Sequence, residues 1–228
     1  MIKTIAVVVA MQSEFDLMSH IIDNRTEVDI DGAHAVKGDI GGRSVILMRS
    51  GIGKVNAAVR VASLIAVEHP DCVINSGVAG GIGSGIRQGD LVAGTECAYH
   101  DVWCGEGEWG QVQGLPLRFP ADLSLLNTII NLNVERLHTG LICTGDQFIS
   151  DPTQLDAIRL RFPDALAVDM ESCAMAHVCY LRQTPFLSLR VISDTPGMEH
   201  DNTSQYFDFF RDAPRKTFAA LKDMIVRL

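Results

Sequence analysis

Residues 2–15 read Ile2-Lys3-Thr4-Ile5-Ala6-Val7-Val8-Val9-Ala10-Met11-Gln12-Ser13-Glu14-Phe15, and this stretch decides the fold class. From Ile2 to Ala10 it is a near-continuous apolar run with three consecutive valines. A strand with one wet face would alternate apolar and polar residues. An unbroken run instead predicts a strand covered by helices on both faces. Ser13 reads as an N-cap, and Phe15, Leu17, Met18, Ile21 and Ile22 are the apolar positions of a helix reaching Ile22. The apolar core, about eight residues long, is shorter than that of a secretory signal and lacks a small-residue cleavage site.

Working outward, the next segments are short and β-like: Glu27–Ile30, Ala33–Ile40 and Ser44–Met48. Asp31-Gly32 and Gly41-Gly42 separate them and predict two tight hairpins. A helix is expected from Val55 to about Glu68, stopped by Pro70. Val73-Ile74-Asn75 predicts a short strand leading into a glycine cluster, Gly77 to Gly85. Asp90 to Tyr99 returns as a strand, and His100 to Pro120 reads as one long loop holding both tryptophans. From there the pattern alternates: helix 122–131, strand 137–144, helix 153–161, strand 165–169, helix 171–181, strand 186–192 and helix 204–227. The expectation is one α/β domain spanning residues 1–228, with a mixed central sheet flanked by helices and a mostly parallel second half.

The 228 residues carry 47 % hydrophobic and 21 % charged side chains, an ordinary globular composition. A formal net charge of -9 lacks the basic footprint of a nucleic-acid binder. No stretch approaches the ~20 apolar residues of a membrane span. Six cysteines form no C-x-x-C pair, and several sit in apolar runs, which fits free thiols in a reducing cytoplasm. Cys97, His100 and Cys104 have irregular spacing and no evident fourth partner, so no metal site is expected. Gly81-Ile82-Gly83 lacks the third glycine of a dinucleotide fingerprint, and Gly53-Lys54-Val55 is not a phosphate-binding loop.

In open α/β sheets ligands bind beyond the carboxyl ends of strands. Three of the predicted strand ends carry a carboxylate nearby: Glu14, Glu171 and Asp194. Each has a plainer reading. Glu14 and Glu171 could serve helix dipoles, and Asp194 before Thr195-Pro196-Gly197 could be a turn former. Phe148 and Met170 could be core. Convergence of all of them at one end of a sheet is what points to a site.

The ordered set Ala10-Met11-x-x-Glu14, Ser50-Gly51-Ile52-Gly53-Lys54-Val55, Asn75-Ser76-Gly77-Val78-Ala79-Gly80-Gly81, Tyr99-His100-Asp101, Thr144-Gly145-Asp146-Gln147-Phe148-Ile149, Val168-Asp169-Met170-Glu171-Ser172, Ala176-His177-Val178-Cys179 and Arg190-Val191-Ile192-Ser193-Asp194 resembles the 5′-methylthioadenosine/S-adenosylhomocysteine nucleosidase family, within the nucleoside phosphorylase fold. The resemblance implies hydrolysis of the N-glycosidic bond of an adenine nucleoside. It implies Asp194 as the general acid at purine N7, oriented by Ser193, and Glu14 as the group handling the water. It further implies Glu171 on the ribose hydroxyls, Met170 on the sugar, Phe148 stacked on the purine and the Ile149 backbone reading its edge. Met11, Val78, Ala79 and Gly80 would line the site, and the 5′-thioalkyl group would meet Phe207 and, from a second subunit, Ile52. Family members are homodimers without metal or organic cofactor.

Adenine leaves poorly unless protonated, so an acid must face it, and a ribosyl oxocarbenium ion favours nearby carboxylates. Water needs a base or an orienting acceptor. Asp194 would need a raised pKa to be protonated near neutrality. The alternatives within the fold are a purine nucleoside phosphorylase and a futalosine-type hydrolase; outside enzymes, it is a nucleoside-binding module. A phosphorylase needs cations for phosphate. The loop after the first strand has none, Asn75 is neutral, and Arg49 and Lys54 are read as the only cations near that edge. Two departures from the family pattern stand out. Val78 replaces a common serine, and Gln113 stands where proline is frequent.

Overall fold

The structure, a computed structural model, describes residues 2–196 and 214–228. Its strands are β1 (Thr4–Val9), β2 (Asp23–Ile30), β3 (Ala33–Ile40), β4 (Arg43–Arg49), β5 (Cys72–Gly81), β6 (Leu91–Tyr99), β7 (Arg118–Pro120), β8 (Leu137–Thr144), β9 (Ala165–Asp169) and β10 (Phe186–Asp194). The helices among the described residues are α1 (Gln12–Ser19), α2 (Lys54–Glu68), α3 (Leu123–Ile130), α4 (Pro152–Arg161), α5 (Ser172–Arg182) and α6 (Pro214–Arg227).

β1 fulfils the reading of the opening run. Ala6 and Val8 point into the core shared with α2 and α5, while Ile5, Val7 and Val9 point into the core shared with α1, α3 and α6. All five are fully buried, so neither face could tolerate a polar residue without an unpaired group. β1 runs parallel to β4 on one side and to β5 on the other. The two hairpins of β2–β3–β4 turn at Asp31-Gly32 and Gly41-Gly42, where all four residues have positive φ, the signature of a twist-matched two-residue turn.

Beyond β5 the sheet differs from expectation. The predicted strand Val73–Asn75 extends into the glycine cluster as far as Gly81, so Gly77, Gly80 and Gly81 are strand, not loop. β5 pairs with β10 in parallel and with β9 antiparallel. β10 pairs with β6, β6 with β8, and β8 with β9, which closes five strands into a ring. The missing side chains make that closure possible. A Cβ on Gly81 would lie 2.8 Å from Ile86 Cγ2 and 2.9 Å from Ile192 Cγ2, and one on Gly80 would lie 3.2 Å from Val168 Cγ2. Glycine inside a strand here marks close backbone approach rather than a turn. The second half is also less parallel than expected: β6, β8 and β9 are mutually parallel, but β6 meets β10 and β9 meets β5 antiparallel.

Other corrections are local. α1 begins after Met11 rather than at Ser13, because the Glu14 carboxylate turns back to accept from the Met11 N–H at 3.0 Å, and it ends at Ser19. β7 interrupts the long loop by pairing with β6. The segment expected to open the last helix, 204–213, lies outside the described residues, as does Phe207.

Candidate active site

The ring brings strand ends together. Gly80 pairs with Val168 on β9 and with Asp194 on β10, so three carboxyl ends meet at one point. β1 flanks β5 on the other side. A cleft opens there, lined by the residues that follow these strand ends, the usual place for a ligand in such a sheet. Twelve of the thirteen residues expected at the site line it: Met11, Glu14, Ile52, Val78, Ala79, Gly80, Phe148, Ile149, Met170, Glu171, Ser193 and Asp194. The thirteenth is Phe207. Ile52 lines the cleft of its own chain, contrary to the expectation that a second subunit would lend it. The reason is topological: β4 neighbours β1, so the Ser50–Gly53 loop falls at the same sheet end.

Glu14 is buried, and its carboxylate is held by three backbone donors. Oε2 accepts from the Ala10 and Met11 N–H groups at 3.1 and 3.0 Å, and Oε1 accepts from the Val78 N–H at 3.1 Å. The helix-end reading is therefore true and incomplete, since one oxygen reaches across to β5. Burial raises its pKa, with Arg190 and the backbone donors opposing. Val78 serves through its backbone, which any residue would supply. Replacement of the family's common serine leaves this contact intact.

Glu171 is buried at the start of α5 but does not cap it. Asp169 takes that role, with Oδ1 accepting from the Glu171 and Ser172 N–H groups at 3.3 and 3.2 Å. Glu171 Oε1 instead accepts from the Gly53 N–H at 2.9 Å. Burial, with the charges of Asp169 and Glu14 adding to it and Arg190 opposing, pushes its pKa up to about 7. At the end of β10, the Ser193 hydroxyl donates to Asp194 Oδ1 at 2.6 Å, and both residues are buried. This fixes the Asp194 carboxyl from the same strand rather than leaving it in a turn.

Arg190, also lining the cleft, was missed as a site residue, and its presence overturns the reading that Arg49 and Lys54 are the only cations near this edge. It lies mid-strand in an apolar run, fully buried. Nη2 stands 2.7 Å from Asp169 Oδ2 and also bonds Asn75 Oδ1, while Nε donates to Ser172 Oγ at 3.1 Å. The Ser172 hydroxyl meets Asn75 and Ser188 at 3.1 and 2.7 Å, and Thr144 Oγ1 donates to Asp169 at 2.5 Å. A Cβ on Gly77 would collide with Arg190 Nη1 and lie 2.8 Å from Glu14 Oε1, so Gly77 makes room for both groups. A charged residue inside an otherwise apolar strand was the available signal for Arg190, because a buried charge must be paired. Asp169 and Gln147 were likewise missed.

Three carboxylates, Glu14, Asp169 and Glu171, thus share one guanidinium. That field favours a ligand developing positive charge and disfavours a phosphate dianion. Among the described residues no cluster of three or more His, Cys, Asp or Glu side chains is arranged to hold a metal ion. No described helix is long and apolar enough to cross a membrane.

Comparison with known proteins agrees with this geometry. The model of the phosphorylase superfamily matches residues 4–227. A 5′-methylthioadenosine/S-adenosylhomocysteine nucleosidase of Geobacillus sp. (strain WCH70) is 40 % identical, covering 97 % of each chain. The crystal structure of the Neisseria meningitidis nucleosidase in complex with methylthio-immucillin-A superposes with a TM-score of 0.92 at 36 % identity, covering 99 % of this chain and 100 % of that one. The S. pneumoniae nucleosidase with a transition-state inhibitor gives 0.91 at 33 % identity, covering 97 % and 98 %. This chain belongs to the 5′-methylthioadenosine/S-adenosylhomocysteine nucleosidase family of the phosphorylase superfamily.

Proposed function

We propose that the protein hydrolyses the N-glycosidic bond of 5′-methylthioadenosine and S-adenosylhomocysteine, releasing adenine and the 5-thioribose product. The observation that carries this is the cleft itself: Glu14, Glu171 and Asp194 are buried around one space whose single buried cation among the described residues, Arg190, is already bound by Asp169, Asn75 and Ser172. Asp194, oriented by Ser193, protonates the purine at N7. Glu14, held in place by three backbone N–H groups, takes a proton from the attacking water. Glu171 accepts from the ribose hydroxyls, Met170 packs on the sugar and Phe148 on the purine, while the Ile149 backbone reads the adenine edge. Ile52 bounds the 5′-thioalkyl end. The carboxylates already gathered around the cleft stabilise charge developing on the ribosyl ring, the largest usual contribution to such a barrier.

The test is incubation with methylthioadenosine with and without phosphate. Free thioribose formed equally in both supports hydrolysis. A phosphorylated sugar formed only with phosphate sinks it.

The protein acts as a homodimer in the reducing cytoplasm. In support, all six cysteines are free and five are buried. Val55 and Val59 are exposed on one stripe of α2, with Ile52 exposed just ahead of the helix, a surface suited to a second copy.

A further inference from the structure

Three motifs noted in the sequence have no part in the reaction as described: Gly53-Lys54, Tyr99-His100-Asp101 and Thr144-Gly145-Asp146. They meet in space. Lys54 Nζ donates to both oxygens of the Asp101 carboxylate at 2.7 Å. Asp101 Oδ2 accepts from the Asp146 N–H at 2.9 Å, and Asp146 Oδ1 accepts from the Lys54 N–H at 2.8 Å. The three residues close a ring of contacts across three loops. The ammonium group also lies 5.5 Å from the centre of the Tyr99 ring. Beneath, the buried His100 imidazole packs so closely on Gly145 that any Cβ there would overlap it. Gly53, with φ of 95°, would place a Cβ 3.0 Å from Asp146 Oδ1.

Each member sits next to a wall of the cleft. Gly53 donates to Glu171, and Ile52 precedes it. Gln147, Phe148 and Ile149 follow Asp146 and line the cleft. We infer that Lys54, Asp101 and Asp146 form a positioning clasp, which holds the ribose-facing edge and the purine-facing edge of the cleft in register. None touches reacting atoms. The inference rests on the nucleosidase reading and adds the residues that set the shape of its binding site. A lone, partly exposed ion pair contributes little to stability. Here its value is geometric, because backbone N–H groups of two loops are bound into the same ring. Misplaced walls weaken substrate and transition state alike, so the loss falls on KM rather than kcat.

The test uses wild type, K54M, K54R, D101N and the K54M/D101N double variant. Cleavage of methylthioadenosine gives KM and kcat, calorimetry gives adenine affinity, and a thermal melt checks folding. K54M and D101N should each raise KM and the adenine Kd tenfold or more, with kcat within threefold. K54R, which keeps the charge, should stay within threefold of wild type. The double variant should be no worse than either single, because the ring is broken once. Unchanged KM and adenine affinity in K54M, or additive losses in the double, overturn the clasp. Wild type that binds adenine but cleaves nothing sinks the nucleosidase reading alone, and calorimetry still reads the clasp. Wild type that does neither overturns both.

Discussion

Asp194 and Glu14 differ in how they are held, and that decides what their substitution should do. Asp194 has one oxygen fixed by Ser193, and Asn at that position keeps the shape while removing the acid. Asp194→Asn should lower kcat by roughly 10²–10⁴-fold, the usual worth of a positioned acid or base, while a non-hydrolysable analogue still binds. Activity within tenfold of wild type would remove Asp194 from the mechanism. Glu14→Gln places an amide against three N–H donors, so one of its ends must face a like donor. It should lose hydrolysis by a comparable factor, and full turnover would exclude Glu14. Glu171 gives a pH prediction. Its pKa rises from 4.5 to about 7 because it is buried beside Asp169 and Glu14. A carboxyl whose folded pKa is raised binds its proton more tightly when folded. Its contribution to stability is fully present below about 4.5 and is lost as pH rises through about 7. Glu171→Gln, always neutral, should therefore melt higher than wild type at pH 8, by several degrees for a gain on the order of 1–3 kcal/mol. Near pH 5 that gap should largely close, and an equal gap at both values would refute the assignment.

β5 shows what happens when one element must satisfy three neighbours. Its apolar start, Cys72 to Ile74, was legible because burial on both faces leaves a composition mark. Its glycine-rich end was read as loop because glycine usually signals a turn. Here glycine signals strands too close for a Cβ, a tertiary demand that no local window contains. The same holds for Arg190: a charge in an apolar run is visible, but its partners Asn75, Ser172 and Asp169 come from three other elements. Conversely, Glu14, Glu171 and Asp194 were legible because strand ends can be counted along the chain and the sheet gathers them. The crowding at β5 gives a prediction of its own. Gly81→Ala should force Ile86 and Ile192 apart and destabilise the fold by about 1–3 kcal/mol. Gly42→Ala meets open space but sits at φ of 83°, so only backbone strain acts there, about 1 kcal/mol. Thermal melts of the two should rank Gly81→Ala as the more damaging, and the reverse order would argue against packing as the reason for glycine in β5.

At the scale of the molecule, the two sides of α2 are unequal in a way a lone chain does not need. Ala57, Val61, Leu64 and Ile65 face the core, which accounts for the buried side. On the outer side Val55 and Val59 are 73 % and 53 % exposed, and Ile52, just ahead of the helix, is 51 % exposed. The four-residue spacing of Val55 and Val59 puts them on one stripe of the helix. The Lys54–Asp101 pair brings the beginning of the Trp103 loop to the same helix end, and the Trp103 ring, stacked on Trp109, is itself half exposed. Such a surface is costly in water and suits a twofold interface in which the stripe meets its own copy. It also adjoins Ile52 at the cleft, so pairing would affect catalysis as well as mass. A chain of 24.8 kDa should therefore sediment as a species of twice that mass. Val59→Glu would place like charges near the axis, where each must lose its water against the other. It should shift the sedimenting species to single-chain mass at micromolar concentration and raise KM, with the thermal midpoint depending on protein concentration in wild type but not in the variant. A wild type that sediments at single-chain mass, or a Val59→Glu protein that remains double, would show that α2 is not the interface.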